Sequence, residues 1–558
     1  MSSSQSRRAF LKNSGIVMAG VSLSPHQALA NALIKNLFRS AQAEAADLVS
    51  PRYYVNIYFD NGPARFTFDH WLRTNANDPQ LNFNPSTGTA FTYDGSRNVT
   101  GTEYRTFDYN GVLVPHIFQT FSPSERQSFL DSFLVIRGYG SGMDGHDLNA
   151  ALQMHPLSSA PSLSALLADH SDRYFQAVQY RNRGANSRFY SQKSLVMNKL
   201  TSPTQPLSEL LQAIKPSTDN ARAIRNANQS LFSDVRALLN SLPDDRKSVQ
   251  IARKNVNTTY QLLQSNLGDF SSQWSSLVAD YTAVIQAAMR STSVPGINGT
   301  LDGSQILTSV SDGQRTKFGV GTSPGTDVII GSGKNFLDVS RNMSSSSLAE
   351  SFALAEYSIR NGLVGALELI AGPATQLLQD PATSNVADAS NWFTMDGDMH
   401  MTQSYGMMYL TSQYYRGVIS ALLLLRTRLM AAGKWNQTVI QMYSEFDRTV
   451  GAPGAGSGHG FDQMVSSIFS GVFSGGPYVV GNTTTKAPKG GVGSQGLGAP
   501  IENYPQKGIP SPLAMASTLS ALMDVPENPW KSFALPLVNL QSDGTLSLPY
   551  GKGKLIAE

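Results

Sequence analysis

Two hydrophobic patterns alternate along this 558-residue chain: short unbroken apolar or aromatic runs that end in turn residues, and longer stretches in which apolar positions recur every three or four residues. Tyr53-Tyr54-Val55-Asn56-Ile57-Tyr58-Phe59-Asp60 is of the first kind and stops at Asn61-Gly62-Pro63, which predicts a strand whose C-terminal end carries Asp60. Phe133-Leu134-Val135-Ile136 predicts a second strand, running into the glycine-rich turn Arg137 to Gly142 before a helical segment with His146. Thr438 to Tyr443 predicts a third, ending at Ser444-Glu445. Runs without polar alternation are buried on both faces, so they read as central strands of an α/β sheet covered by helices. Ligands of such sheets bind beyond the strand C-termini, where Asp60, Ser141, His146 and Glu445 would project.

The second pattern fills residues 201–300. Val256, Tyr260, Leu263, Leu267, Phe270, Trp274, Leu277, Tyr281, Val284 and Ala288 alternate spacings of four and three, with no proline between Pro243 and Pro295. That spacing predicts one helix of about 33 residues, roughly 50 Å long, with a narrow apolar stripe. Ile224, Leu231, Val235, Leu238 and Leu242 carry a matching seam, and Leu242-Pro243-Asp244-Asp245 offers a turn. The expectation is a long antiparallel helical hairpin inserted into the α/β domain, which either packs over the sheet or protrudes as an arm that binds a protein partner through residues 217–290. Val418 to Leu425 reads as a buried helix, and the 14 glycines between 451 and 500 predict mostly loop around an apolar island from Phe461 to Phe473. The resulting organisation is 31–200 and 301–558 as two parts of one α/β domain, with 201–300 inserted between them.

The N-terminus changes the compartment. Ser6-Arg7-Arg8-Ala9-Phe10-Leu11-Lys12, an apolar run from Ser14 to Leu23 too short to span a bilayer, and Ala28-Leu29-Ala30 predict a twin-arginine signal peptide over residues 1–30, cleaved after Ala30. The expected partner is the twin-arginine export machinery and the expected location is periplasmic or otherwise exported. Removing the leader takes Arg7, Arg8 and Lys12 and no acidic residue, which brings the formal charge from +3 to 0 and leaves no call on nucleic acid or anionic membrane. No later run is long and apolar enough for a transmembrane segment. With no cysteine in the chain, disulfides, thiolate metal sites and a Cys nucleophile are excluded, so any metal would be held by His, Asp, Glu or neutral oxygens.

The strongest local cluster is Asp396-Gly397-Asp398-Met399-His400-Met401-Thr402-Gln403. On an extended segment Asp398 and His400 point the same way, and carboxylate with imidazole suits a divalent ion such as Zn or Mn, or forms a surface hydrogen bond. His70 and His155 read as satisfied core or surface histidines, and Asp447-Arg448 reads as a local ion pair at least as readily as a catalytic element. No phosphate-binding Gly-Lys loop, dinucleotide fingerprint or His-Glu-x-x-His helix is present.

Ser444-Glu445-Phe446-Asp447-Arg448-Thr449, then Gly458-His459-Gly460, then Phe473 to Gly481 resemble the C-terminal signature of the bacterial domain of unknown function family 1501. Asp398-Met399-His400 falls at that family's upstream Asp-x-His. Asn61-Gly62-Pro63 with Phe68-Asp69, and Ile136-Arg137 with His146, are similar to its first two strand loops, and Ile509 to Val525 to its closing helix. The resemblance implies an alkaline phosphatase and sulfatase-like sheet with one or two divalent metals (Zn, Mn, Ca or Mg) and a small anionic ester substrate. It implies Asp398, His400 and His459 as metal ligands, Asp60 or Asp69 as the first-strand carboxylate, Ser141 as nucleophile, and Glu445 as a ligand or as the group that fixes a ligand histidine. The chain departs from the pattern at Gly458 before His459, at Gly145 before His146, and in a first-strand loop one residue short. Asp462, Asp144 and Asp147 are the carboxylates available to compensate. Two functions follow as expectations: a metal-dependent hydrolase of phosphate or sulfate esters, or a non-catalytic relative that binds partners at the cell envelope.

Overall fold

A computed structural model describes residues 51–60, 62–65, 67–70, 73–74, 89–93, 99–103, 106–173, 175–180, 188–200, 235–237, 239–241, 249–250, 253–254, 256–257, 267–289, 293–296, 299–302, 346–371, 377–379, 392–394, 404–450, 457–484, 497–506 and 508–550. The elements that build the core and its upper edge are Tyr53–Phe59 (β1), Pro123–Leu130 (α1), Phe133–Tyr139 (β2), His146–Met154 (α2), Leu163–His170 (α3), Phe175–Tyr180 (β3), Asn198–Leu200 (β4), Leu267–Met289 (α4), Ser346–Arg360 (α5), Val364–Ile370 (β5), Ser404–Ala431 (α6), Thr438–Ser444 (β6), Asp447–Val450 (β7), Ser457–Gly460 (β8), Met464–Ser470 (β9), Tyr478–Val480 (β10) and Pro512–Leu522 (α7). The chain divides into two compact units, residues 1–47 with 207–271, and residues 48–206 with 272–558.

Eight strands of the larger unit form one sheet in the order β10-β2-β9-β6-β1-β5-β3-β4. Every neighbouring pair is parallel except those made by β9, which runs antiparallel to both β2 and β6. β1, β2, β6 and β9 are buried at every position, as expected of strands covered on both faces. The fold is therefore mixed α/β with a mostly parallel central sheet. The apolar island within the glycine-rich stretch holds β9, a central strand whose type the surrounding glycines left unassigned in the sequence.

On one face Tyr54, Tyr58, Leu134, Ile136, Val439, Tyr443 and Ile468 pack with apolar residues of α2, α3 and α7. The other face is aromatic: Phe59 meets Tyr414 and Tyr415 of α6 edge-on at 6.1 and 5.5 Å, and Phe129 of α1 stacks on Phe469 at 4.6 Å. α5 lies beside α6 on this face.

α4 forms a further layer over α5 and α6. Tyr281 stacks on Phe352 at 5.8 Å and donates to Glu356 Oε2 at 2.9 Å, while a Cβ at Gly417 would come within 3.0 Å of Ile285. Among its described side chains the buried ones are Trp274, Tyr281, Ile285 and Met289, whereas Leu277, Val284 and Ala288 of the expected stripe are half-buried. In the smaller unit residues 235–237, 239–241, 249–250, 253–254 and 256–257 are helical, and Arg253 Nη2 donates to Leu239 O at 2.8 Å across the two segments. This unit takes 207–271 of the expected 201–300 insertion; residues 272–300 group with the α/β unit.

A row of polar side chains crosses the sheet in register: Gln179 of β3, Glu368 of β5, Asn56 of β1 and Gln441 of β6. Glu368 accepts from Ser164 Oγ at 2.6 Å and Gln179 Nε2 at 3.0 Å. Burial raises its carboxyl above the ordinary value, and those bonds with the charge of Lys199 offset only part of the effect. A carboxyl raised on folding costs stability as the pH climbs past its unfolded value, and the cost is complete above the folded one. Glu368→Gln, whose amide can donate to the unpartnered Gln179 Oε1, is therefore expected to stabilise the protein near neutral pH by on the order of 1 kcal/mol. The gain should vanish below the ordinary carboxylate range, as thermal unfolding at about pH 3.5 and about pH 7.5 would show.

Candidate functional site

The strand directions bring the C-terminal ends of β1, β2 and β6 and the N-terminal end of β9 to one edge of the sheet. Five of the residues singled out from the sequence, Asp60, Ser141, His146, Glu445 and His459, lie on the segments at this edge, and Asp69 packs against the middle of β9. Asp398 and His400 lie outside the described residues.

Glu445 follows β6 and is fully buried. Its Oε2 accepts the Tyr58 hydroxyl at 2.7 Å and its Oε1 lies 2.7 Å from His146 Nδ1. Burial, then the neighbouring Glu445 charge, pushes the Tyr58 phenol well above its ordinary value, so it stays protonated and donates. Of the two roles open to Glu445 in the sequence, this geometry resembles that of a group fixing a histidine: both oxygens are engaged, one of them by His146 Nδ1. His146 opens α2, where Gly145 at φ 128° supplies the turn into the helix.

A second pair stands beside the first. His459 of β8 has its Nδ1 2.5 Å from Asp144 Oδ1, on the loop between β2 and α2. Asp144 is thus the one of the three available carboxylates that meets His459. Of the other two substitutes, Asp462 takes a backbone hydrogen bond from Gly142 and has its carboxyl raised by burial, and Asp147 sits exposed in the first turn of α2. The imidazoles of His146 and His459 approach edge to face with centroids 4.8 Å apart, and the buried Phe446 ring stacks on His459 at 4.0 Å and meets His146 at 4.7 Å.

Asp60 is buried one residue past β1, where its charge adds to the larger effect of burial in raising the phenols of Tyr58 and Tyr414. Asp69 is not a first-strand ligand in this arrangement. It forms a fully buried two-point ion pair with Arg65, one bond of 2.9 Å from Nε and one from Nη2, and also accepts Ser467 Oγ at 2.6 Å. Arg65 in turn donates to Val465 O and Met442 O at 3.2 and 3.1 Å, so the pair pins the loop after β1 onto β6 and β9. Ser141 is half-buried; its Oγ donates to Met143 O at 3.2 Å and accepts Met143 N at 3.3 Å within its own turn.

Asp447 and Arg448 do not pair their side chains with each other. Asp447 Oδ1 accepts the backbone amides of Arg65 and Arg448 at 3.1 and 2.7 Å and its Oδ2 faces His70 Nδ1, while Arg448 Nε donates to Gly62 O at 2.7 Å. His70 is a buried core histidine facing that carboxylate, and His155 is half-buried, bonds Ala160 O at 2.8 Å and stacks on Tyr190. Tyr58 escapes a reading from motifs, since only the register that sets it beside Tyr443 brings it to Glu445, and Phe446 stands in the C-terminal motif without a role of its own.

Two carboxylate-oriented imidazoles suit the histidine half of a Zn or Mn site. Among the described residues no three His, Asp or Glu side chains are grouped to hold a metal ion, so further donors would have to come from elsewhere in the chain. Nor is any described helix long and apolar enough to cross a membrane.

No family model and no curated protein matches the chain. Among solved structures it is similar to Ps i-CgsB, with a TM-score of 0.29 and 9% identity over 87% of this chain and 75% of that one, a likeness too distant to assign function. The geometry makes a distinction that activity alone would miss. Asp69→Asn is expected to destabilise the fold by about 3–5 kcal/mol by leaving the buried Arg65 charge uncompensated, measurable as lost thermal stability with or without added metal.

Proposed function

We propose that the chain is an exported, metal-dependent hydrolase of phosphate or sulfate esters, similar to the domain of unknown function family 1501 within the alkaline phosphatase and sulfatase-like superfamily. The observation that supports this most is the pair of neighbouring imidazoles, each with Nδ1 on a carboxylate, at the strand-end edge of the sheet. In this reading His146 and His459 ligate through Nε2, and Asp398 and His400 complete the donor set. A bound divalent ion would supply Lewis acidity toward a phosphoryl or sulfuryl oxygen. The chain's own residues do the rest: Tyr58 and Glu445 hold the His146 ring, Asp144 holds that of His459, and Ser141 is the hydroxyl for attack once its bond to Met143 O is exchanged for one to substrate.

That last requirement favours a second reading. A serine tied into its own turn suits a relative that keeps the metal and binds partners without turnover.

Metal analysis of the purified protein, beside Asp398→Ala and His400→Ala, tests the site: stoichiometric Zn or Mn in the wild type, lost in both variants, is expected, and a metal-free wild type refutes it. Hydrolysis of aryl phosphates and sulfates separates the two readings. The hydrolase loses turnover but keeps its metal on Ser141→Ala, while metal without turnover supports the binding protein. Glu445→Gln should weaken metal binding about 10–100-fold, and Asp144→Asn less, because Asp144 is 65% exposed and its pair is screened by water.

A further inference from the structure

We infer that Phe446, seated on Gly62, is a positioning residue that fixes the spacing between His146 and His459 and so decides which divalent ion the pair accepts; the inference rests on the metal reading above. Three rings are in mutual contact here, and Phe446 is the only one of them that carries no donor. It is fully buried, directly follows the equally buried Glu445, and enters β7, so its backbone is fixed at both ends. The Arg448 guanidinium lies 5.0 Å from the ring centroid while its Nε holds Gly62 O at 2.7 Å. Gly62 has φ 58°, and a Cβ there would come within 2.6 Å of Phe446 Cε2. The ring is thus clamped between the loop after β1 and the two imidazoles, with no slack on the Gly62 side.

The clamp acts unequally. His146 is braced by a buried carboxylate, whereas the partner of His459 is mostly in solvent. A displaced Phe446 ring, in contact with both imidazoles, changes the nitrogen-to-nitrogen span available to an ion. A fixed span discriminates among ions of different radius and preferred geometry, since proteins select by geometry what affinity order alone would not allow.

The test is equilibrium binding of Zn and of Mn to the full-length protein, followed by competition with a chromogenic chelator. The variants are Phe446→Leu and Phe446→Met, the second keeping most of the buried volume without a rigid ring. Near-UV circular dichroism reports folding. The expected result is a folded variant whose Zn affinity falls about 10–100-fold and whose ratio of Zn to Mn affinity contracts at least about tenfold. Gly62→Ala should move the same ratio with Phe446 intact. Folded variants with wild-type affinities and ratio overturn the inference, as does failure of both Phe446 variants to fold, which assigns the ring to the core alone. A wild type that binds neither ion refutes the metal reading itself.

Discussion

A carboxylate without access to water must have its oxygens occupied, and for Glu445 this requirement organises the whole upper edge of the sheet. One oxygen takes Tyr58 from the neighbouring parallel strand and the other takes His146 from the start of α2. β1, β6 and α2 are thereby fixed to one another at the point where the chain leaves the sheet. The Arg65–Asp69 pair does the same one layer deeper, tying the loop after β1 to β6 and β9. Two buried charged groups, each satisfied, make this edge rigid. The Asp144–His459 pair is placed against that rigid background but remains solvated, so the site joins a fixed half to an adjustable one.

The strands were legible because strands buried on both faces leave unbroken apolar runs: β1, β2 and β6 begin where the runs begin, and their ends deliver Asp60, Ser141 and Glu445 to one edge. β9 was obscured by the glycines around it. The α4 seam was legible at Trp274 and Tyr281, whereas beyond them Ile285 and Met289 are buried in place of Val284 and Ala288.

The site was less legible than the fold. Sequence spacing gave Glu445 two roles, and only strand register, by seating Tyr58 opposite Tyr443, decides between them. Asp69 looked like a ligand by its position after the first strand, although Arg65 four residues earlier is the partner that claims it. The contact between Asp144 and His459 was not legible because motif reading is linear and the two lie more than three hundred residues apart.

The position of β9 has a consequence for how the polypeptide is made. β2 is flanked by β10 and β9, and β1 by β6 and β5, so every neighbour of the two earliest strands is encoded far downstream of them. While the ribosome is still short of Val364, both strands wait with bare edges, the state most exposed to mispairing. Assembly of the sheet is therefore a late event in biosynthesis, dominated by contacts distant in sequence. A nascent chain of this design needs its early strands shielded until the last third has emerged.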